Sequence, residues 1–153
     1  MSRGGHLRLR DYLQHILDAI RRIDEYTHGL KDEDFMGRTL VQDAVLRNLE
    51  IVGEASRNIE SRYPEFASAH PQLPLAFAYQ MRNVIAHGYF QVDLGLVWRT
   101  VQIDLPSLRA QVLEVLHHAT LKMIDRLEAF SEHVAGGFFA RNAAGAEHGH
   151  FVV

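Results

Sequence analysis

The 153-residue sequence contains no cysteine, which excludes disulfide bonds and thiolate metal sites. The absence also fits a protein of the reducing cytoplasm. No apolar run approaches the roughly 20 residues that a membrane-spanning helix needs. The basic residues near the N-terminus are not followed by a continuous apolar segment, so a secretory signal is not expected. The sequence therefore predicts a cytoplasmic protein without a membrane span.

The sequence also has no excess of basic residues. The chain has 16 Lys and Arg against 19 Asp and Glu, a net charge of −3. Proteins that bind nucleic acid by general electrostatic attraction are usually basic, so any RNA binding must come from a local site, and DNA binding is not predicted. With 47% hydrophobic and 23% charged residues, the composition is typical of one globular domain.

Proline is scarce, and residues 63–74 hold three of the four prolines. This segment is the one clear break in the pattern and is expected to be a connecting loop. Elsewhere apolar residues recur at three- and four-residue steps, which is typical of amphipathic helices, and no strand pattern or repeat is present. The predicted helices cover, in order, residues 7–28, 39–62, 75–85, 94–103 and 104–134, with a short helical turn at 31–37. Gly29 is expected to end the first helix, while Thr39 and Asp104 are expected to cap the second and the last.

These elements predict an all-α fold, an up-and-down bundle of four to five helices in a domain over residues 1–134. The helix at 39–62 is apolar around most of its circumference, which indicates a central position or a subunit interface. Within it Gly53 costs about 1 kcal/mol relative to alanine, and close approach of another backbone would explain its presence. Residues 135–153 are rich in Gly and Ala without periodicity and are predicted to form a flexible C-terminal tail.

The segment MRNVIAHGYF, residues 81–90, combines apolar helical residues with groups suited to handling a phosphate. Its polar side chains are Arg82, Asn83, His87 and Tyr89. On a continuous helix five residues turn through about 500°, so Arg82 and His87 would point about 140° apart. Because Gly88 readily ends a helix, we expect the helix to stop at or just before His87, near Ala86. The imidazole could then approach Arg82.

This set of groups suits phosphodiester cleavage. The fork of Arg82 can hold a non-bridging phosphate oxygen and stabilise charge that builds at phosphorus. His87 can move a proton to or from a ribose 2′-hydroxyl or the leaving oxygen, and Asn83 could orient the imidazole or donate to the phosphate. Attack by a 2′-hydroxyl requires no metal, so no cofactor is predicted. One Arg and one His make half of an acid–base pair, and a second copy in a symmetric dimer could supply the rest.

The pattern Arg82-Asn83-x-x-x-His87-x-Tyr89 resembles the R-x4-H-x-Y signature of the HepT-like toxins, in the HEPN superfamily of helical nucleotide-binding and RNase domains. Two further segments are similar to the family and lie in the same order: NLEIVGEASRNI at 48–59 and VDLGLVWRTVQIDLPSL at 92–108. The resemblance covers roughly residues 7–130. The chain departs from the family where Leu75 follows Pro74, because family members often carry a tryptophan there.

The resemblance implies a HEPN-like homodimer with the motif in an interface cleft and metal-independent endoribonuclease activity. It assigns Arg82 and His87 as the catalytic pair, with tRNA as one candidate among RNA substrates. It also implies a type VII-like toxin–antitoxin pair, in which a minimal nucleotidyltransferase antitoxin neutralises the toxin by transferring AMP to Tyr89. An adenylate would add bulk and negative charge where a substrate phosphate should sit.

Each candidate residue also has an ordinary structural explanation. Arg82 could be a surface arginine paired with a carboxylate, His87 a cap at a helix C-terminus, and Tyr89 a core aromatic. Glu54, next to Gly53, could lie in the cleft and orient Arg82, or could be a buried carboxylate with a local partner. Trp98 is expected in the core.

No metal site is predicted, because His117-His118 and His148-Gly149-His150 lack acidic or sulfur partners at usable spacing. Two rival functions stay open. A non-catalytic HEPN module could use the same cleft to bind a nucleotide or to regulate a nucleotidyltransferase. A purely structural dimerising bundle would need the motif only for stability.

Overall fold

The computed structural model describes residues 8–87 and 91–145, with side chains described through Ile85 and from Gln91 to Val134. These residues form seven α-helices and one π-helical turn: α1 Leu9–Thr27, α2 Asp32–Met36, α3 Thr39–Arg62, α4 Pro64–Ala69, α5 Leu75–His87, α6 Leu94–Arg99, the π-turn Thr100–Asp104 and α7 Leu105–Gly145. The described residues contain no strand, which confirms the predicted all-α class. None of the helices in this part of the chain is long and apolar enough to cross a membrane.

The helix α3 lies at the centre of the fold, as its apolar circumference predicted, because it packs against both α1 and α5. Its buried apolar residues recur at helical steps and face both neighbours. The side chains at the centre of this three-helix core are Ile16, Ile20 and Ile23 of α1, Val45, Leu49, Val52 and Ile59 of α3, and Ala78, Met81 and Ile85 of α5. The packing of α5 on α3 fixes the position of the motif segment.

The short helix α2 is held to the rest of the fold by one aromatic stack and one buried amide. Phe35, which is fully buried, stacks on Trp98 of α6 with ring centroids 5.0 Å apart. Gln42 of α3 donates from Nε2 to the carbonyl oxygens of Phe35 at 2.8 Å and Met36 at 3.0 Å. Trp98, expected in the core, is thus half-buried against α2.

The last helix begins at Leu105, where a cap at Asp104 would place it, but Asp104 ends a π-turn and does not cap a separate helix. Asp93 caps α6 through Oδ1, which accepts from the Leu96 N–H at 3.0 Å, and the chain then stays helical into α7. Pro106 has no N–H and cannot make the usual bond to the carbonyl four residues back. Just before it, Leu105 N–H instead donates to the Thr100 carbonyl, which is the five-residue spacing of a π-turn. The proline therefore marks a change of helix type rather than a helix start.

Two other local predictions are corrected, and one is confirmed. Gly29 has a φ of +71°, so it takes the left-handed conformation expected of a residue that ends α1. Thr39 is the first helical residue rather than the cap, because the Gln42 N–H already donates to the Arg38 carbonyl at 3.0 Å. The predicted loop at 63–74 contains α4, with Pro64 in its first turn, where a missing N–H costs nothing.

The helix α7 runs to Gly145, beyond the predicted end at Val134. The alanines among residues 135–145 have high helix propensity and offset the glycines, so the start of the predicted flexible tail is helical in this structure. Residues 146–153 lie outside the described part of the chain. The division into a domain at 1–134 and a tail at 135–153 stays a prediction.

The chain divides into two compact units between Glu114 and Val115. In the first unit α7 buries Leu105, Leu108 and Val112. In the second unit the described apolar side chains of α7 are mostly exposed, and the large ones are Leu121, Met123, Ile124, Leu127, Phe130 and Val134. Helical spacing alone does not distinguish the first group from the second.

Candidate active site

The motif arginine lies where α5 comes closest to α3. A Cβ atom built on Gly53 would overlap the Cβ of Arg82 and would lie 2.8 Å from the carbonyl oxygen of Ala78. Both distances are shorter than real Cβ contacts, so only glycine permits the two helices to approach this closely. The prediction that Gly53 marks a close approach of another backbone is confirmed. The contact places the start of the Arg82 side chain directly against α3.

Arg82 is held by two polar neighbours, both of which the sequence had singled out. Its Nη1 donates to Oδ1 of Asn83 at 3.2 Å. Its Nη2 lies 4.0 Å from Oε2 of Glu54, with the arginine side chain 32% exposed and the carboxylate side chain 51% exposed. An ion pair this long and this exposed adds little stability. It places a carboxylate beside the guanidinium on the α3 side.

Glu54 is itself held from its other side. Asn58, one turn further along α3, donates from Nδ2 to the Glu54 carbonyl at 2.9 Å and to Oε1 of its carboxylate at 3.4 Å. The two carboxylate oxygens thus face different partners, Asn58 and Arg82. A polar row therefore connects Asn58, Glu54, Arg82 and Asn83 across the junction of α3 and α5.

The histidine of the motif continues the backbone of α5. The helix ends at His87, the last position before residues 88–90, which lie outside the described residues. These bounds agree with a helix that stops at or just before His87. They also lie within one residue of the predicted end near Ala86. The side chain of His87 and all of Gly88 and Tyr89 fall outside the described residues, so their predicted roles stay predictions.

Arg82 and Glu54 face an open cavity of about 440 Å³ between α1 and α3. Its lining residues are Tyr12 and His15 of α1, Arg47, Glu50, Ile51, Glu54, Ala55 and Asn58 of α3, and Arg82 of α5. The polar members of α3 recur at three- and four-residue steps, so they share one face of the helix. The cavity is large enough for part of a nucleotide chain and is surrounded by groups that can donate and accept hydrogen bonds.

The charges around the cavity are balanced. It has two guanidinium groups, Arg47 and Arg82, and two carboxylates, Glu50 and Glu54. Arg47 donates from Nη1 to Oε2 of Glu50 at 3.2 Å, so one cation is already paired within α3. Arg82 at its longer distance from Glu54 is the cation more available to an incoming phosphate.

Sequence reasoning missed the contribution of α1 to this cavity. Tyr12 and His15 are one turn apart on that helix, and their local sequence does not distinguish them from the other polar and aromatic residues of α1. The α3 residues could have been found, because Arg47, Glu50 and Glu54 repeat at helical spacing on a helix predicted to be central. Which face of α1 lies opposite α3 is set by the tertiary packing and does not follow from a local sequence pattern.

Metal-binding groups do not gather in the part of the chain that the structure describes: no three His, Cys, Asp or Glu side chains there could hold one ion. His117 and His118 are neighbours with ring centroids 6.3 Å apart. His148 and His150 fall outside the described residues.

The fold is all-α, and an Arg-x4-His segment packs against its central helix. This combination is the one expected of the HepT-like class of helical domains. A family model described as "Ribonuclease HepT-like" matches residues 16–115, about two thirds of the chain. The chain belongs to this HepT-like ribonuclease family, as its resemblance predicted. The matched residues include Glu54, Arg82, Asn83, His87 and Tyr89, begin just after His15, and stop where the second unit of the structure begins.

Named relatives agree with this assignment. A protein of Thermococcus cleftensis named "Probable ribonuclease HepT" is 42% identical over 102 residues, covering 67% of this chain and 90% of the relative. A "Putative RNase" of Caldanaerobacter subterraneus subsp. tengcongensis is 36% identical, covering 70% of this chain and 93% of the relative.

A third relative is longer. The "Gamma-glutamylcyclotransferase and putative RNase" of Methanocaldococcus jannaschii is 35% identical over 120 residues, which cover 78% of this chain. The chain spans 53% of that relative, about half its length. No solved structure shows significant similarity to the chain.

Proposed function

We propose that the chain is a metal-independent endoribonuclease that cleaves RNA by attack of a ribose 2′-hydroxyl on the neighbouring phosphate. The observation that carries this proposal is the placement of Arg82 on the wall of the cavity, between Glu54 and Asn83, within an R-x4-H segment of a ribonuclease family. A forked cation beside a solvent-accessible cavity is suited to binding a phosphate of a nucleic-acid chain.

Arg82 and His87 divide the chemistry. Arg82 holds a non-bridging oxygen and stabilises the charge that builds on the pentacoordinate phosphorus. Its interaction with Glu54 and Asn83 presets the guanidinium, which lowers the ordering needed when substrate binds. His87 transfers a proton between the reacting oxygens and the imidazole, and Asn83 supports the phosphate position.

We further propose that the chain is the toxin of a type VII-like toxin–antitoxin pair and works as a homodimer, with the two motifs facing one another. A minimal nucleotidyltransferase antitoxin would move AMP from ATP to the hydroxyl of Tyr89 and release pyrophosphate. The support is the R-x4-H-x-Y motif together with a relative named as a HepT ribonuclease. The substrate class is RNA, with tRNA as one candidate.

The test is RNA cleavage by protein purified from cells without an antitoxin, in the presence of EDTA. We expect the wild type to cut RNA, while Arg82→Ala and His87→Ala should lose at least about 100-fold in rate. Arg82→Lys keeps the charge but not the fork, so it should also be impaired. Arg21→Ala, a change at an exposed arginine of α1, is the control and should cut normally. Equal cleavage by all five proteins would exclude the assignment.

The alternative is a non-catalytic HEPN module that binds a nucleotide or regulates a nucleotidyltransferase. The net charge of −3 and the balanced charges of the cavity favour it, because they give little general attraction for RNA. Growth arrest by the chain alone, relieved by His87→Ala, supports the toxin. Harmless expression together with tight binding of a nucleotidyltransferase supports the alternative.

A further inference from the structure

Cleavage by a 2′-hydroxyl needs two proton transfers at one site. A base must accept the proton of the attacking hydroxyl, and an acid must protonate the departing 5′-oxygen. Within one protomer the motif provides one imidazole, His87, and a guanidinium, which acts as a fixed cation rather than as a proton carrier. The second transfer therefore falls either to His87 of a second copy or to a further titratable side chain on the same cavity.

His15 lies on the same cavity as Arg82. It belongs to the part of the wall that α1 forms, while Arg82 and Glu54 form another part. Three helices thus bring an imidazole, a guanidinium and a carboxylate to one solvent-accessible space of about 440 Å³. Nothing in the R-x4-H motif specifies this histidine.

The ring of His15 rests on an anchored neighbour. Tyr12, one turn earlier on α1, is 6% exposed and therefore fixed in the core. The two rings meet edge to face, with centroids 6.4 Å apart and planes at 87°. In the described part of the chain no hydrogen bond or ion pair engages the imidazole of His15, so both its nitrogen atoms are available to a ligand.

The other described histidine side chains are elsewhere. His28 follows the end of α1. His70 stacks on Phe66, with Nδ1 2.9 Å from that residue's carbonyl oxygen. His117, His118 and His133 belong to the second unit. Among the described side chains, His15 is the histidine that lines the cavity.

We propose that His15 is the second proton-transfer group of the RNA site, an inference that rests on the ribonuclease function proposed above. One imidazole accepts the proton of the 2′-hydroxyl as the 2′-oxygen–phosphorus bond forms. The phosphorus–5′-oxygen bond breaks, and the other imidazolium gives its proton to the 5′-oxygen. The products are a 2′,3′-cyclic phosphate and a 5′-hydroxyl, with atoms and charge balanced.

The charged and titratable groups around His15 come from all three helices. They are Tyr12 from α1, Arg47, Glu50 and Glu54 from α3, and Arg82 from α5. The pH dependence of cleavage should have two limbs, because one imidazole must act as a base and the other as an acid.

The experiment measures kcat and KM against pH for wild type, His15→Ala, His15→Gln and the control His28→Ala. The substrate is a fluorescent oligoribonucleotide that spans the position cut by the wild type. A second substrate replaces the scissile 5′-oxygen by sulfur, which leaves without a proton. Trp98 fluorescence during thermal unfolding checks that each variant is folded, and His15→Gln serves if the alanine variant is not.

We expect both His15 variants to lose at least about 100-fold in kcat, with KM changed only a few-fold and one limb of the pH profile missing. His28→Ala should match the wild type. If His15 is the acid, the sulfur substrate restores most of the rate; if it is the base, the loss persists. Either result supports the proposal and assigns the transfer.

A His15→Ala protein that keeps the wild-type rate and both limbs overturns the inference alone. A second copy of His87 would then be the remaining source of the other imidazole. A wild type that cuts no RNA overturns the proposed function, and the inference with it. The two failures are thus distinguished by the wild-type assay.

Discussion

Gly53 of α3 and Arg82 of α5 lie so close that the Cβ of Arg82 packs directly against the backbone of the central helix. The absence of a side chain at Gly53 brings the first carbon atoms of Arg82 against the α3 backbone. Glu54, the next residue on α3, then reaches the guanidinium. Two neighbouring residues thus make linked contributions: Gly53 sets the distance between the helices, and Glu54 places a carboxylate beside the guanidinium of Arg82.

Gly53→Ala should destabilise the fold although alanine is the better helix former. The substitution gains about 1 kcal/mol of helix propensity. It also places a methyl group on the Cβ of Arg82 and 2.8 Å from the Ala78 carbonyl, so α5 must shift. Overpacking of this kind costs about 1–3 kcal/mol, and the net change should be a loss. Chemical denaturation measures it, and RNA cleavage should fall as Arg82 moves.

Gly37→Ala is the matched control for that prediction. A Cβ at Gly37 would meet only the carbonyl oxygens of Glu33 at 3.7 Å and Asp34 at 3.9 Å, which are ordinary contacts. This variant should keep the stability and the activity of the wild type. A Gly53→Ala protein as stable and active as Gly37→Ala would contradict the importance of the close contact.

The sequence predicted the parts of the site that depend on one helix or on one pair of helices. The apolar circumference of α3 indicated that this helix is central, and Gly53 in its middle indicated a second helix close by. The resemblance to the family singled out Arg82, which lies on that second helix. The same reasoning could not find His15, because its place on the same cavity as Arg82 depends on how α1 packs on α3.

Glu54→Gln should affect cleavage more than stability. Its pair with Arg82 is 4.0 Å long and half exposed, so the free energy of unfolding should change by less than about 1 kcal/mol. The neutral amide orients the guanidinium less strongly, and we expect kcat for RNA cleavage to fall about tenfold with a smaller change in KM. Steady-state kinetics and a denaturation curve on the same sample separate the two effects.

Glu50→Gln tests whether loss of any cavity carboxylate would do the same. Glu50 lines the same cavity but pairs with Arg47 at 3.2 Å rather than with Arg82. It should therefore reduce kcat less than Glu54→Gln does. Equal losses in the two variants would argue against a specific role of Glu54 in orienting Arg82.

Phe35→Ala should be strongly destabilising, because Phe35 is fully buried and stacks on Trp98. Removing a buried phenylalanine typically costs about 3–5 kcal/mol. Trp98 is the only tryptophan, so its fluorescence reports both the loss of the stack and the unfolding midpoint. Phe130→Ala removes the same side chain at a position that is 66% exposed and should change stability by less than about 0.5 kcal/mol. Similar midpoints for the two variants would contradict the packing of α2 on α6.

Tyr89→Phe should separate cleavage from its proposed control. The hydroxyl of Tyr89 is the proposed acceptor of AMP, whereas the proton transfers are assigned to histidines, so the variant should still cut RNA. Incubation with the nucleotidyltransferase antitoxin and ATP should add adenylate to the wild type, seen by mass spectrometry, and abolish its cleavage activity. The phenylalanine variant should gain no adenylate and stay active, because no negative charge is introduced at the substrate phosphate position.

Tyr79→Phe is the control for this modification. Tyr79 lies on the same helix as the motif, half-buried beside the guanidinium of Arg57, 5.4 Å from its ring centre. Loss of its hydroxyl should leave both adenylation and inhibition intact. Adenylation of Tyr89→Phe at the wild-type level would move the modification to another residue, while an unmodified wild type that is still inhibited would indicate that the antitoxin acts by binding alone.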